Sequence, residues 1–426
     1  MNEDHQKLGS LPWIIWSLAA IFFFYTFLLQ VSPSVMVHDL MGSFAVNATA
    51  ISNFAAIYFL VYAIMQIPIG LLFDRLNARW LLTLAAALCG IGCVIFATAH
   101  SFGEVIFARA IIGLGSSFAV VGSFNIVAQW FPPKRFAAIT GLTVTIGMLG
   151  AMSGETPLAL MINHIGWRNT MMVFAVVGII LSSLLWLIVR DSPSQKQKRK
   201  NKHNNKISIL SGVKCLLTSK QSWLAALYGG FLYTPTLIFG ALWGVPFLMQ
   251  TNHLNKPVAA AIVSSMFFGW MLGSPFFGWL SDFLARRKPP MIVGAVGGLI
   301  TLTLVIYIQH LPNYMLVILL FAFGFLSSGF ILAFSLVKEI NPTRYSATSV
   351  GFTNMLNMVW LATLQPAIGI ILDFMWQGNM KHNIRIYDIT NYHWALGVLP
   401  LLLVCSVVLL PFIRETFCRS VDWEKT

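Results

Sequence analysis

Of 426 residues, 57% are hydrophobic and only 10% charged, and the mean hydropathy is +0.76. A soluble fold of this length is wrapped in charged surface, and too little charge is present here to wrap it. That excludes a soluble enzyme or binding domain and leaves a polytopic membrane protein, with the lipid bilayer as its first partner. The net charge is +13. Basic proteins often meet nucleic acid, but here Lys and Arg fall between apolar runs, where they orient spans and face anionic lipid headgroups. No nucleic acid partner is expected.

In chain order, Glu3, Asp4 and Lys7 precede a run that stays apolar from Leu11 to Val37. It is too long, and too poor in preceding positive charge, for a cleaved signal peptide. A helix needs about 20 apolar residues to cross hydrocarbon. That ruler predicts twelve spans, at 12–37, 49–72, 80–99, 104–129, 136–160, 170–190, 222–248, 258–280, 290–309, 314–336, 346–372 and 394–414. A basic stretch from Arg190 to Lys220 separates six spans from six, which divides the chain into 1–190, a linker at 191–220, and 221–426. Gln195–Lys206 is polar and without apolar periodicity, so it reads as flexible. With both termini inside, 22 of the 27 basic residues lie on the inner side, and the outer loops keep only Arg168, Lys256, Lys381 and Arg385. The bias predicts cytoplasmic termini, and a bacterial inner membrane is the expected location. Trp13, Trp80, Trp130, Trp167, Trp223 and Trp394 fall at span ends, where amphipathic rings anchor at the interface. Asn47-Ala48-Thr49 has the form of a glycosylation acceptor and is read as a chance triplet.

The five cysteines form neither a disulfide framework nor a metal-ligand set, and Cys89 and Cys93, one turn apart within a span, read as small apolar residues. No G-x-x-x-x-G-K-S/T phosphate loop, H-E-x-x-H pair or G-x-S-x-G elbow occurs in the sequence. No enzyme activity, ATP use, cofactor or metal is therefore expected.

One charged turn is written twice. Gly70-Leu71-Leu72-Phe73-Asp74-Arg75-Leu76-Asn77-Ala78-Arg79 recurs as Gly278-Trp279-Leu280-Ser281-Asp282-Phe283-Leu284-Ala285-Arg286-Arg287, with Gly, Asp and Arg each displaced by 208 positions. The turn resembles the loop between spans 2 and 3 of the major facilitator superfamily, G-x-x-x-D-R/K-x-G-R/K-R/K. Asn77 stands where glycine is usual, and the second copy lacks the basic residue after its aspartate. Arg109-Ala-Ile-Ile-Gly113-Leu-Gly115 is similar to the span 4 pattern R-x-x-x-G-x-G of the same family. The resemblance implies an all-α fold of two six-helix bundles about a pseudo-two-fold axis along the membrane normal. It also implies alternating access around a midplane site. In that scheme Gly70, Asp74, Arg75 and Arg79, with Gly278, Asp282 and Arg286, form a gate that latches the halves on the inner side. Gly70, without a side chain, would let a neighbouring helix approach.

Arg109 lies about five residues inside its predicted span and Glu155 at similar depth in the next. Charges at that depth are candidate functional groups by default. The pair is expected to share an ion pair, or a proton with solute, and Glu155 is the candidate proton carrier. An ordinary structural ion pair is the plainer alternative. Tyr58 and Tyr62 on span 2, Asn354 and Asn357 on span 11, and Tyr25, Asn125, Tyr228 and Tyr233 on spans 1, 4 and 7 are candidate solute contacts. Each is equally able to bond helix to helix. The superfamily's cavity is lined by spans 1, 4, 7 and 10, which favours Tyr25, Asn125, Tyr228 and Tyr233. An Arg109 facing the cavity would select an anionic or zwitterionic small molecule, such as an organic acid, an amino acid or a short peptide. The expected function is therefore proton-coupled secondary transport of such a solute by a monomer. Two alternatives stand beside it. One is proton-coupled export of lipophilic compounds, disfavoured because span 5 carries Gly154-Glu155-Thr156-Pro157 in place of the antiporters' G-P-x-x-G-G. The other is a non-transporting receptor on the same fold.

Overall fold

The computed structural model describes residues 10–190, 209–342, 345–381 and 384–419. Span 1 is Ser10–Val31, continued by a 3₁₀ turn Ser32–Val35 and a short helix Val37–Phe44. Span 2 is Ala48–Arg75 and span 3 is Ala78–Thr98. Span 4 is broken into Phe102–Ser116 and Phe118–Trp130. Span 5 begins as Pro133–Ser153 and resumes at Thr156, and the segment Thr156–Ile188, two helices joined across a kink, carries its end and all of span 6. Gly166, at φ +78°, turns the chain between the two. Span 7 is Lys220–Ile238, a π turn Phe239–Trp243 and Gly244–Thr251. Spans 8 and 9 are Lys256–Phe283 and Lys288–Tyr307. Span 10 is Asn313–Ser327, a 3₁₀ turn Ser328–Phe330 and Ile331–Ile340. Span 11 is Ser346–Phe374, and span 12 is built from Ile389–Leu396 and Val398–Leu409. Between the last two, β1 (Met380–Lys381) pairs antiparallel with β2 (Ile384–Arg385).

Among the described residues, eleven stretches are long and apolar enough to cross a membrane, and one of them, Ala138–Ile188, runs to 51 residues. That is about twice one crossing, and the break at Gly166 makes it spans 5 and 6. Twelve spans result, as the hydropathy predicts. Four of the span starts carry side-chain caps. Asn47, Ser101, Ser219 and Asn255 each accept a bond from the backbone N–H three residues on, satisfying donors that a helix start leaves open. Asn47 of the supposed chance triplet is thus the cap of span 2. A short amphipathic helix, Ile209–Thr218, occupies the end of the basic stretch. Gln195–Lys206, read as flexible, lies outside the described residues.

Spans 1–6 form one bundle and spans 7–12 the other, the architecture expected from the repeated turn. The duplication extends into the packing. A Cβ on Gly113 of span 4 would sit 2.8 Å from the Tyr58 carbonyl of span 2, and one on Gly324 of span 10 would sit 1.9 Å from the Met266 carbonyl of span 8. Spans 4 and 10 also break at matching serines, Ser117 and Ser328. Without water, bundles hold together by such close backbone approach. The bundles meet along spans 2 and 11, along spans 5 and 8, and where the far ends of spans 1 and 7 touch. Below, the face of the protein bearing residues 10 and 412 is the terminal face, and the opposite one the far face.

Gly150, on span 5 against span 1, tests this packing. Its Cβ would lie 2.2 Å from the Phe24 carbonyl, whereas Gly141 on the same span has no atom within 4 Å. Gly150→Ala should destabilise by roughly 1–3 kcal/mol and lower the detergent melting temperature. Gly141→Ala should leave it unchanged or slightly raised, by up to about 1 kcal/mol of helix propensity.

Candidate functional site

At mid-depth between the bundles lies a small cavity of about 10 Å³, bounded by spans 1, 5, 7 and 8 and nearly closed in this conformation. Phe27, Gln30, Met148, Tyr233, Thr236 and Trp270 are among its walls. Its C-bundle side is an aromatic stack. Phe330 lies 4.9 Å from the Trp270 ring at 13° and 4.9 Å from the Tyr233 ring. A belt of neutral polar groups runs beside it. The Tyr233 hydroxyl meets the Gln30 side chain, and the Tyr62 hydroxyl meets Gln66 and Asn354. Asn354 Nδ2 donates to Gln66 Oε1 at 3.0 Å, joining span 11 to span 2 across the bundles. Asn357, 1% exposed, has no hydrogen-bond partner for either amide atom among the described residues.

Of the candidate solute contacts, Tyr62, Tyr233 and Asn354 therefore gather at the interface, whereas Asn357 lies against Gly229 and Gly230 of span 7 within the C bundle. The others direct their polar atoms into one bundle. The Tyr25 hydroxyl donates to the Phe174 carbonyl at 2.7 Å, and that of Tyr228 to the Met291 carbonyl at 2.9 Å. Asn125 accepts from Gln129 one turn on, and the Tyr58 ring lies 4.4 Å from the Arg109 guanidinium. Gln30, Thr236 and Trp270 escaped the sequence reading. An isolated Gln, Thr or Trp within an apolar run carries no periodic signal of which face is wet.

Arg109 and Glu155 both engage the end of span 1, yet they are not partners. Arg109 is 2% exposed, and its Nη1 and Nη2 donate to the carbonyls of Leu29 and Gln30 at 2.6 and 2.9 Å. These carbonyls belong to the last turn of span 1, where the helix tightens into Ser32–Val35 and leaves its acceptors open. A cation at a helix C-terminus is also favoured by the dipole. Glu155 holds the same segment from another side, its Oε1 accepting from the Ser34 hydroxyl at 2.8 Å. It stands at the break in span 5 with φ −102° and ψ −95°, fully buried, and Oε2 has no partner among the described residues. The expected ion pair is thus replaced by two separate clamps on the broken end of span 1.

The far face is bolted across the bundles. Asp373, at the end of span 11, accepts from the Thr49 N–H at 2.8 Å, the Thr49 hydroxyl at 2.5 Å and the Ala48 N–H at 3.3 Å. A carboxylate at the N-terminus of span 2 suits both the open donors and the dipole. Tyr387 donates to Asp373 at 2.6 Å, and Arg385 reaches it at 3.3 Å. Lys256 Nζ is 2.5 Å from Asp39 Oδ2, and the Thr156 and Ser264 hydroxyls are 3.3 Å apart. Beside this pair, burial and then the Lys256 ammonium hold the His38 imidazole below its ordinary value, with Asp39 acting the other way.

The described contacts of Arg79, Asp282, Arg286 and Arg287 in the repeated turn stay within their own bundles. A Cβ on Gly70 or Gly278 would meet nothing within 4 Å, so no helix approaches either glycine, contrary to expectation. Arg79 Nε donates to the Trp186 carbonyl at 2.6 Å within its own bundle, and the Arg286 guanidinium is 6.0 Å from the Phe417 ring. Asp282 pairs with Arg287 at 2.7 Å, and Arg287 also bonds Glu339 at 2.6 Å. Glu415, after span 12, accepts from the Arg287 and Lys288 N–H groups at the start of span 9. Burial opposes its ionisation, but these backbone bonds hold it below the usual carboxylate value. The second turn is thereby tied to the tail of its own bundle. The side chains of Asp74 and Arg75 lie outside the described residues.

Two duplicated bundles enclosing a midplane cavity, closed at one face, define a secondary transporter rather than an enzyme. The Major Facilitator Superfamily profile matches residues 15–364 and 236–416, and the chain belongs to that family. It is 23% identical over 309 residues to the "Uncharacterized transporter YybO" of Bacillus subtilis, covering 68% of this chain and 69% of that one. It is 23% identical over 347 residues to the "D-galactonate transporter" of Escherichia coli O6:H1, covering 73% and 77%. With the "Probable galactarate/D-glucarate transporter GudP" of Bacillus subtilis it shares 21% over 381 residues, 81% of each chain. The crystal structure of a bacterial homolog of the human lysosomal transporter Spinster, inward-facing and occupied, superposes with a TM-score of 0.75 at 16% identity. It covers 95% of this chain and 97% of that one.

If Arg109 holds span 1 rather than solute, Arg109→Ala leaves the Gln30 carbonyl without that donor, while the Leu29 carbonyl keeps only the Ser32 hydroxyl, at a cost of roughly 1–3 kcal/mol. Melting temperature and folded yield should fall, with Arg109→Lys partly restoring both. An unchanged melting temperature with a raised KM would instead make it a solute ligand. His38 gives a pH test. Its imidazole is depressed in the fold, so its contribution is intact above the ordinary value of about 6.5 and declines as pH falls through that value toward the lower one. Acid should loosen the far-face latch, read as faster hydrogen exchange at Ala48 and Thr49, and His38→Asn should flatten that dependence.

Proposed function

We propose that this protein imports a small hydroxylated organic acid together with protons, by alternating access, and that the present conformation is closed outward. The observation that carries the reading is the midplane cavity shared by both bundles beneath a far face bolted by Asp373 on the start of span 2. The excess of Lys and Arg on the terminal side supports cytoplasmic termini, which makes the far face the outer one.

The named relatives support the solute class. Galactonate, galactarate and glucarate are polyhydroxylated acids, and a belt of amides, phenols and aromatic faces supplies the paired donors and acceptors that hydroxyls need. Among the described residues the cavity walls hold no cation, and Arg109 is committed to backbone. The acid group would therefore be met by neutral donors, with a co-transported proton balancing its charge. Glu155 is the proton's candidate carrier. It is fully buried with one free oxygen, and the adjacent Thr156 is bonded to the other bundle. Exchanging its proton would bear on both the Ser34 clamp and the outer closure.

The test is uptake into proteoliposomes of D-galactonate, D-glucarate, an amino acid and a dipeptide, with and without an inward proton gradient. Accumulation of a hydroxylated acid only with the gradient is expected. Glu155→Gln should abolish that accumulation while keeping solute exchange across the membrane. Binding without flux of any solute would overturn the transporter reading in favour of a receptor.

A further inference from the structure

We infer that Lys256, the first residue of span 8, captures the solute's carboxylate at the outer mouth, with Asp39 filling its place while the far face is closed; this rests on the transport reading above. The Lys256 ammonium lies 2.5 Å from Asp39 Oδ2, and the two side chains are 14% and 31% exposed. Asp39 belongs to the short helix after span 1, in the N bundle, and Lys256 to the C bundle. A cation at a helix start is opposed by the dipole, which favours anions there. At the head of span 8 the ammonium and the dipole therefore add, and a carboxylate is the group that answers both. In the closed conformation the protein supplies that carboxylate from its own chain.

Among the outer cations whose side chains are described, Lys256 is the one that opening would release. Arg168 donates to the Ala97 and Ala99 carbonyls of its own bundle. Arg385 is held by Asp373 and by the Trp376 ring, 4.3 Å from the guanidinium, again within one bundle. Both keep these partners when the bundles separate as units. Lys256 loses Asp39, because that contact crosses the interface. The ammonium is then uncovered at the mouth of the site in the one conformation that admits solute from outside. A charge at such a mouth raises the local concentration of anions and speeds their capture. The neutral groups of the cavity act afterwards, once the solute has passed inward. On closing, Asp39 returns to Lys256 and displaces the solute's carboxylate, so the capture point does not retain what it has gathered.

Uptake of D-galactonate by the full chain in proteoliposomes, driven by an inward proton gradient, tests this with two variants that break the same contact. Lys256→Gln removes the cation and should raise KM about fivefold with little change in kcat. Asp39→Asn leaves the ammonium unpaired and should lower KM about twofold. The native KM should rise with ionic strength as the charge is screened. That dependence should vanish in Lys256→Gln and persist in Lys256→Arg. A contact that only latches the far face would shift KM in the same direction in Lys256→Gln and Asp39→Asn, which would overturn the capture point while leaving transport standing. An unchanged KM in Lys256→Gln would overturn it too. If the native chain takes up no hydroxylated acid, the transport reading fails, and capture is judged by acetylation of Lys256 with acetic anhydride in Asp39→Asn, followed by mass spectrometry. Protection by D-galactonate but not by uncharged galactitol supports a carboxylate site, and equal modification with either rules one out.

Discussion

Hydrocarbon offers no hydrogen-bond partner, so wherever a span leaves helical geometry the freed backbone groups have to be satisfied from inside the protein. The end of span 1 is where this constraint is sharpest. Its last carbonyls are turned loose by the 3₁₀ segment Ser32–Val35, and the guanidinium of Arg109 takes two of them. The rest of the site follows. With the segment fixed by Arg109 on one side and by Glu155 through Ser34 on another, Gln30 is held at the cavity wall. The far ends of spans 1 and 7 can then meet. The deeply buried cation Arg109 thus serves as architecture for the broken helix, and in the proposed mechanism solute recognition falls to neutral groups.

The two bundles are copies in their packing and different in their chemistry. Gly113 against Tyr58 and Gly324 against Met266 repeat one close approach, and Ser117 and Ser328 repeat one break. The N bundle holds the two buried charges that clamp the end of span 1, Arg109 and Glu155. The C bundle holds the unpaired amide of Asn357 and the stack of Tyr233, Phe330 and Trp270. In the proposed mechanism, such a duplicated scaffold would let proton and solute act on the same rocking motion from different walls.

The twelve spans were legible because membrane thickness fixes their length and the lipid fixes their composition. The Lys and Arg that broke the inside bias were informative too, though as exceptions. Lys256 and Arg385 bind Asp39 and Asp373 in the far-face latch, and Arg168 donates to the Ala97 and Ala99 carbonyls. Much of the site was not legible. The spans predict one depth for Arg109 and Glu155, but depth does not give azimuth. Each turned toward a backbone break that hydropathy could not reveal. Tyr25 and Tyr228 had the right spans and the wrong helix face. Asp373 gave no signal at all, since its role depends on the N-terminus of span 2, 325 residues away along the chain.

The central claim is that the two bundles rock as units about the midplane site, opening one face as the other closes. Spin labels would report it directly. One pair at Ala45 and His253 spans the far face, and another at Phe136 and Phe283 spans the terminal face, all four being exposed. Electron–electron distances measured with and without D-galactonate and an acid outer medium should change in opposite directions, the far pair lengthening as the terminal pair shortens. Distances that move together, or that ignore solute and proton alike, would contradict the account.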